Sequence, residues 1–479
     1  VYPVNEGMEV FTNTPKVLES RRQNLELILS THERKCLSCV KSGKCELQKL
    51  CLDYGVTDES IYDGERIHYD IDDSAPHMIR DNNKCVLCRR CSAVCRKWQD
   101  VGVIGANERG FRTNISCAFE TPLGETSCVS CGQCIVACPT GALAEKDQTQ
   151  DVLKLLSDPS KTVIVQTAPA TRVTIGEAFG MPIGTNAEGK MVAALRRLGF
   201  AKVFDTNFAA DLNIMEEGTE FVERFTHHDR HVWPMFTSCC PGWVSFAKSQ
   251  YPELLPQLST AKSPQQMFGA VIKTYFAQKK GIAPENITCV SIMPCMSKKR
   301  ELTLPGMDSA GTGQDIDYVL TTREICRLIK ADHIDVSRLP ECDFDDPLGE
   351  ATGAGVIFGA SGGVLEAALR TAYHTVTGEN PEIGEQSPLK VLRQIGSFKE
   401  LEIDIKGVKL HCAALSSLGE ARRLIQAMKR GECHYDFVEV MACPGGCING
   451  GGQPLRPSFQ NKPKDCADRD QCLRAYDVN

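Results

Sequence analysis

Cys85-Val-Leu-Cys88-Arg-Arg-Cys91-Ser-Ala-Val-Cys95 recurs 43 positions later as Cys128-Val-Ser-Cys131-Gly-Gln-Cys134-Ile-Val-Ala-Cys138, followed by Pro139. Three cysteines at two-residue spacing and a fourth after three residues hold paired [4Fe–4S] cubanes, and the fourth cysteine of each run serves the other cluster. The ligand sets read from this spacing are Cys85, Cys88, Cys91 and Cys138 for one cubane, and Cys128, Cys131, Cys134 and Cys95 for the other. Zinc knuckles do not use this crossed arrangement, which argues against zinc. The chemistry to expect is one-electron transfer, and the repeat points to a duplicated supersecondary unit.

A second constellation precedes that repeat. His32-x3-Cys36-x2-Cys39-x5-Cys45 supplies one imidazole and three thiolates within fourteen residues. A zinc site is one reading of such a set. Directly ahead of two cubanes, a third [4Fe–4S] cluster is the better one, and an imidazole replacing a thiolate should raise its potential as histidine does in Rieske centres. Cys51 breaks the spacing and is expected to be an ordinary buried thiol. Residues 78–99 also carry Arg80, Lys84, Arg89, Arg90, Arg96 and Lys97 against Asp81 alone. These cations either form a docking face for an acidic electron carrier or offset the charge of the thiolate-bound clusters; both readings stand.

Three further segments read as strands that end in cysteine: Phe236-Thr-Ser-Cys239-Cys240-Pro-Gly-Trp243, Ile292-Met293-Pro-Cys295-Met-Ser-Lys298-Lys-Arg-Glu301, and Val440-Met441-Ala-Cys443-Pro-Gly-Gly-Cys447-Ile-Asn-Gly-Gly-Gly-Gln-Pro454. One core cysteine is commonly inert. Three such strand ends are expected to bring Cys240, Cys295, Cys443 and Cys447 together above a sheet edge, where α/β proteins bind ligands. The glycines after Cys443 would let the backbone approach something bulky.

The elements that must position these groups follow from pattern. After about residue 150, β-branched runs such as Thr162–Gln166 and Ile287–Met293 alternate with helix-period segments such as Lys190–Leu198 and Val364–Ala372. That alternation argues for parallel sheets covered by helices. The chain has 479 residues, enough for three or four domains, with 54 basic and 61 acidic side chains for a net charge of −7. This balance gives no reason to expect nucleic acid or an anionic membrane as partner, and no apolar run is long enough to span a bilayer. Twenty-five cysteines, clustered rather than spread, indicate metal clusters and a reducing, hence cytoplasmic, compartment.

The segments TSCCPGW, MPCxxKK and MACxGGCxxGGGQP, in this order after the cubane module, resemble the three signatures of the [FeFe]-hydrogenases, and the likeness runs from residue 32 to about 454. It implies a hydrogenase that interconverts 2H⁺ + 2e⁻ and H₂, with a fourth [4Fe–4S] cluster on Cys240, Cys295, Cys443 and Cys447. Cys447 would bridge to a di-iron subcluster carrying carbonyl, cyanide and a dithiolate, installed by maturation proteins. A thiol with an ordinary pKa near 8.5 can shuttle protons near neutral pH, and Cys239 matches the cysteine that the family uses so. By the same likeness Glu217, Ser259 and Glu220 continue the relay, although Glu217 and Glu220, at i, i+3 on one helical face, would on spacing alone read as a solvated acidic surface. Lys298 matches the lysine that donates to a cyanide ligand, and Met293 and Met441 look like soft pocket walls.

The implied fold class is α+β and α/β multidomain: small Fe–S domains, then a large two-lobed α/β catalytic domain with its centre between the lobes. The expected division is 1–31, a remnant of a plant-type [2Fe–2S] ferredoxin domain without its cysteines; 32–77, the one-His/three-Cys cluster domain; 78–150, the two-[4Fe–4S] ferredoxin-like domain; and 151–479, the catalytic domain, with its C-terminus incomplete. Ala170 stands where many relatives have a cyanide-binding serine. Gly359-Ala-Ser-Gly-Gly363 lacks the Gly-Lys-Ser/Thr of a phosphate loop and reads as close packing, and His227, His228 and His231 read as a solvated loop. No nucleotide fingerprint is present, so any NAD(P)H would bind a partner. The expected partners are ferredoxin, or flavin- and NAD-binding subunits including those of electron-bifurcating complexes, together with maturation proteins. The rival readings are a non-catalytic hydrogenase-like Fe–S carrier or assembly protein, and an H₂ sensor.

Overall fold

The structure, a computed structural model, describes residues 2–56, 62, 64–346, 349–384, 386–455 and 463–475, with 463–466 by backbone alone. Residues 57–61 and 63 of the expected histidine–cysteine domain, and 476–479 of the expected catalytic domain, lie outside the described residues.

The helix Pro15–Thr31 starts where Thr14 accepts from Val17 N and Pro15 fills the first turn. It buries Leu25 and Leu29 against Leu47 of the helix Glu46–Asp53. His32 caps the first helix and Cys45 the second, so the packing of two helices sets both ends of the first candidate ligand set.

The next unit is built on four short strands: β1 (Met78–Arg80), β2 (Gly105–Asn107), β3 (Asn114–Ser116) and β4 (Leu143–Glu145), paired antiparallel as β1 with β4 and β2 with β3. The sequence repeat is visible in its backbone. Leu87 and Arg89 take positive φ (53° and 59°), and 43 positions on so do Ser130 and Gly132 (60° and 72°). Three of these four are not glycine, a conformation that costs about 1–3 kcal/mol per residue unless its surroundings enforce it. In each run the turn folds the chain so that a backbone N–H, Leu87 N or Ser130 N, points at the first cysteine's sulfur from 3.4 Å.

Two four-stranded sheets form the remainder. The first, in order β6 (Lys202–Asp205), β5 (Thr162–Thr167), β8 (Ile287–Met293), β9 (Tyr318–Thr321), is parallel throughout. Its strands are buried on both faces, as a sheet covered on both sides requires. The second runs β10 (Phe398–Ile405), β11 (Val408–Ser416), β12 (Phe437–Met441), β7 (Met235–Phe236). Here the expectation of parallel sheets is corrected: β11, β12 and β7 are parallel, but β10 and β11 form an antiparallel hairpin through Lys406 and Gly407, both at positive φ. Such a two-residue turn matches the twist of its flanking strands, and the exposed–buried alternation of β10 is that of a one-sided edge strand. The helices Asn207–Thr226 and Gly363–Thr377 cover one face of this sheet, and Pro241–Gln250 and Leu418–Lys429 the other.

Buried ion pairs join the four-strand unit to the sheets. Arg323 donates to Glu145 at 3.0 and 3.1 Å and Arg327 reaches the other oxygen at 2.6 Å. Within the sheet body Lys299 pairs with Glu324 at 3.0 Å, both almost fully buried, and the pair reaches the other unit by hydrogen bonds from Lys299 to Lys146 O and Gln148 Oε1 and from Gln148 N to Glu324. Burial alone would raise the Glu145 carboxyl, but Arg323 and Arg327 outweigh it and hold it well below the usual carboxylate range. A depressed carboxyl stabilises the fold above its unfolded pKa of about 4.3 and loses that contribution as pH falls. Glu145→Gln leaves Arg323 buried without its counter-charge, and we expect a loss of about 3–5 kcal/mol at pH 7, read as a lower urea midpoint for protease resistance of the Fe–S unit. An unchanged midpoint would show the pair to be dispensable.

Candidate active centre and relay sites

The cysteine-bearing loops leave from the carboxyl ends of strands in both sheets. After β7, Cys240 caps the helix Pro241–Gln250, with Pro241 preset for its first turn. After β8 come Pro294, Cys295 and the short helix Ser297–Glu301. After β12 come Ala442 and Cys443, and Cys447 opens a one-turn helix. Cys240, Cys295 and Cys447, with Cys239, Met293, Met441 and Lys298, line one cavity of about 80 Å³. Cys443 does not line this cavity but is close enough to its thiols to feel them: burial pushes the Cys443 thiol up, and Cys295 and Cys240 add to the effect. Cys447 is pushed well up by burial and by the same neighbours. The thiols of Cys295, Cys443 and Cys447, all pushed up by burial, become good ligands once a cation supplies the missing charge, so the donor set suits an iron–sulfur cluster. Ala170, fully buried, sits beside this cavity with no hydroxyl to offer.

The glycines after Cys443 serve a different end from the one expected. A Cβ on Gly446 would stand 2.6 Å from Ser361 N, on Gly450 2.2 Å from Pro294 O, and on Gly451 2.4 Å from Cys131 O. They let three backbone segments close against the loop and so form its wall. Gly363, whose Cβ would stand 1.8 Å from Ile357 O, is close packing, as read from the sequence.

Cys239 is buried, its thiol pushed well above the ordinary value first by burial and then by Glu217. Glu217 is fully buried on the helix Asn207–Thr226, and burial raises its carboxyl to about 8 against the pull of Ser259 and the Ser238 backbone. Ser259 Oγ donates to Glu220 at 2.8 Å, and Glu220, near the surface, accepts from Arg224 at 2.5 Å. Ser259 and Glu220 are joined by a hydrogen bond, whereas both Glu217 oxygens are buried with no hydrogen-bond partner among the described residues. Arg224 was missed, although its place four residues after Glu220 on a helix carries the signal.

Glu217 gives stability a pH slope. Its folded pKa lies above the unfolded value of about 4.3, so between there and about 8 the native chain keeps a proton that the unfolded chain has lost. Stability therefore falls as pH rises through that window, by up to about 1.4 kcal/mol per unit. Glu217→Gln should remove this slope in urea midpoints compared at pH 5.5 and 7.5; an unaltered slope would place the effect elsewhere.

Lys298, buried, donates to both oxygens of Glu301 at 3.1 Å and to Cys239 O at 3.3 Å. Glu301 in turn accepts from Gln265 at 3.0 Å, and Gln265 also lines the cavity. Glu301 sits three positions after Lys298 and was legible; Gln265 has no sequence relation to any motif.

The relay sets are also assembled. His32, Cys36, Cys39, Cys45 and also Cys51 line a cavity of about 840 Å³, and burial lowers the His32 pKa, favouring the neutral imidazole that binds metal. Cys51, expected as an ordinary buried thiol, is half-buried and lines the same cavity. Cys85, Cys88, Cys91 and Cys138 surround one small cavity, and Cys95, Cys128, Cys131 and Cys134 another. Cys88 is exposed, next to exposed Arg89. Among the described residues no three such side chains converge as they would on one ion; thiolates around a cubane bind different irons and stand wider than those around a tetrahedral zinc. His227, His228 and His231 are exposed, and His228 stacks on Trp233.

Cysteine sets of this kind, leading through an Fe–S unit to a buried sulfur-lined centre, define an iron–sulfur oxidoreductase. Residues 161–451 match the family described as iron only hydrogenase large subunit, C-terminal domain, and the chain belongs to that family. Residues 21–60 match the NADH-ubiquinone oxidoreductase-G iron-sulfur binding region and 123–144 a 4Fe-4S binding domain. The chain is 50% identical over 457 residues to the NADP-reducing hydrogenase subunit HndD of Solidesulfovibrio fructosivorans, covering 94% of this chain and 77% of that one. It is 42% identical over 455 residues to iron hydrogenase 1 of Clostridium pasteurianum, covering 94% and 78%. Apo [FeFe]-hydrogenase HydA1 from Chlamydomonas reinhardtii superposes with a TM-score of 0.60 at 39% identity, over 68% of this chain and 88% of that one. Among the described residues no helix is long and apolar enough to cross a membrane.

Proposed function

We propose that this chain is the catalytic subunit of an [FeFe]-hydrogenase, interconverting 2H⁺ + 2e⁻ and H₂. The observation that carries the reading is the meeting, at one cavity, of thiols from both sheets with Cys239 and Lys298, and the buried Glu217 carboxyl that acts on Cys239 supports it. Cys240, Cys295, Cys443 and Cys447 would hold a [4Fe–4S] cluster, with Cys447 joining it to a di-iron subcluster bearing carbonyl, cyanide and a dithiolate bridge. That six-iron centre, when bound, supplies the redox-active metal at which protons and H₂ exchange. Cys239 passes the proton between that centre and Glu217, Ser259 and Glu220 carry it outward, and Lys298, held by Glu301, is aimed to donate to an anionic ligand of the centre. Met293 and Met441 keep the pocket dry. The centre sits between the two sheets, each sheet forming one lobe.

Three further [4Fe–4S] clusters, on His32/Cys36/Cys39/Cys45, on Cys85/Cys88/Cys91/Cys138 and on Cys95/Cys128/Cys131/Cys134, would relay electrons in units spanning 32–77 and 78–150, with 1–31 ahead of them and the catalytic unit from 151 onward. Likeness to an NADP-reducing hydrogenase subunit favours a flavin- and NAD(P)-binding partner over ferredoxin alone. We place the protein in the cytoplasm, where the clustered thiols stay reduced. The test is anaerobic H₂ evolution from reduced methyl viologen, with protein produced together with hydrogenase maturation proteins. Evolution from the matured protein, absent without maturation, is the expected result. No evolution from protein proven to hold the di-iron unit would leave an electron carrier or a sensor.

A further inference from the structure

Cys128 differs from the other candidate relay ligands in what surrounds it. Its carbonyl accepts from Arg300 Nη1, and its sulfur accepts from Ser130 N at 3.4 Å and faces His77 Nε2 at 3.9 Å. His77 is 2% exposed and held in place along the backbone: its carbonyl accepts from Lys146 N at 3.0 Å, and the next residue opens β1. Its other ring nitrogen, Nδ1, has no hydrogen-bond partner among the described residues. Among the described residues the one polar contact of this buried imidazole is the Cys128 sulfur. The repeat-related Cys85 receives the matching backbone N–H from Leu87, but no histidine lines its cavity.

The tautomer follows from the chemistry. A lone pair on Nε2 turned toward a thiolate would be repelled, and a buried N–H turned away from its only acceptor would forfeit about 1–3 kcal/mol, so the proton belongs on Nε2. A hydrogen bond to a cluster sulfur favours the reduced, more negative state and raises the potential. We propose that His77 is a potential-setting residue: its Nε2–H donates to Cys128 Sγ and makes the cluster on Cys95, Cys128, Cys131 and Cys134 easier to reduce. This rests on the cluster reading given above. The location gives the effect a purpose, because Gly451 of the catalytic loop packs on Cys131 O and this cluster adjoins the active centre. A higher potential there draws electrons toward the centre.

The test is an anaerobic redox titration followed by electron paramagnetic resonance on the matured protein, comparing wild type, His77→Leu and His77→Gln. In His77→Leu one cluster signal should move to a more negative midpoint, its reduced-to-oxidised ratio at fixed potential falling about three- to tenfold, tenfold being ~59 mV for one electron. His77→Gln, which keeps an N–H, should recover much of the shift, and the other signals should stay in place. An unmoved midpoint in His77→Leu with full iron content, or equal shifts in both variants, would overturn the proposal. If His77→Leu loses iron, the wild type decides: with ¹⁵N-histidine, double-resonance spectra of the reduced protein should show a weak coupling on the signal of this cluster, distinct from the strong coupling of His32 on its own cluster, and its absence would overturn the proposal. A wild-type chain without iron at this cysteine set would overturn the cluster reading itself, and iron analysis of that protein alone reveals it.

Discussion

Cys239→Ala should lower H₂ evolution by about 10²–10⁴-fold, the range that positioned acid–base groups contribute, with iron content and cluster spectra unchanged. Cys239 lies at the cavity and is electrostatically coupled to Glu217 behind it, while Lys298 touches only its carbonyl. On the proposed relay, removing the thiol should break proton transfer and leave Cys240, the proposed ligand, in place. Glu217→Gln should fall in the same range, because an amide of the same shape cannot release the proton. If the two act in series, the double variant should be no slower than the slower single one, since groups that work as a unit are not additive. H₂ evolution above a tenth of wild type in Cys239→Ala, at equal iron, would remove the thiol from the path.

Gly451→Ala should cut H₂ evolution at least about tenfold, because a displacement near 1 Å at a reacting site can cost two orders of magnitude. The new methyl would stand 2.4 Å from Cys131 O and 2.7 Å from Gly132 Cα, both backbone atoms that cannot swing aside. The catalytic loop and the relay loop must then separate, and over-packing of this kind costs about 1–3 kcal/mol or more. Gly452→Ala is the control: its methyl would meet Pro294 O and the Thr321 side chain at 3.0 Å, a tighter fit but one that part of the wall can relieve. The measurement is H₂ evolution and iron per chain for both variants. Equal behaviour of the two would show that the contact between loops is not what matters at Gly451.

Much of the site was legible because cysteine spacing is a local property that survives folding: the runs at 85–95 and 128–138 point to two four-cysteine sets that each line one cavity, and their offset of 43 reappears as paired backbone turns. The meeting of Cys240, Cys295 and Cys447 was expected from strand-ending motifs, but above one sheet edge; the ends of β7 and β12 in one sheet instead meet the end of β8 in the other. What was missed depended on tertiary placement. Gln265 reaches the cavity from a helix with no motif, and the pairing of Lys299 with Glu324 looks in the sequence like any surface charges. The β10–β11 hairpin was hidden because its Lys406-Gly407 turn lies inside a region whose other strands are parallel.

The pairs Glu145–Arg323, Glu145–Arg327 and Lys299–Glu324 have an evolutionary and engineering consequence. Two of these cations and one of these anions belong to the helix Thr322–Ala331, and Lys299 lies one residue from Lys298. A replacement electron-input module grafted from another chain would therefore have to bring a carboxylate at the place of Glu145, or leave the buried Arg323 guanidinium without its counter-charge. The module and the catalytic body are locked into inheritance as one piece, and swaps aimed at a new electron donor should cut ahead of residue 78 rather than behind it.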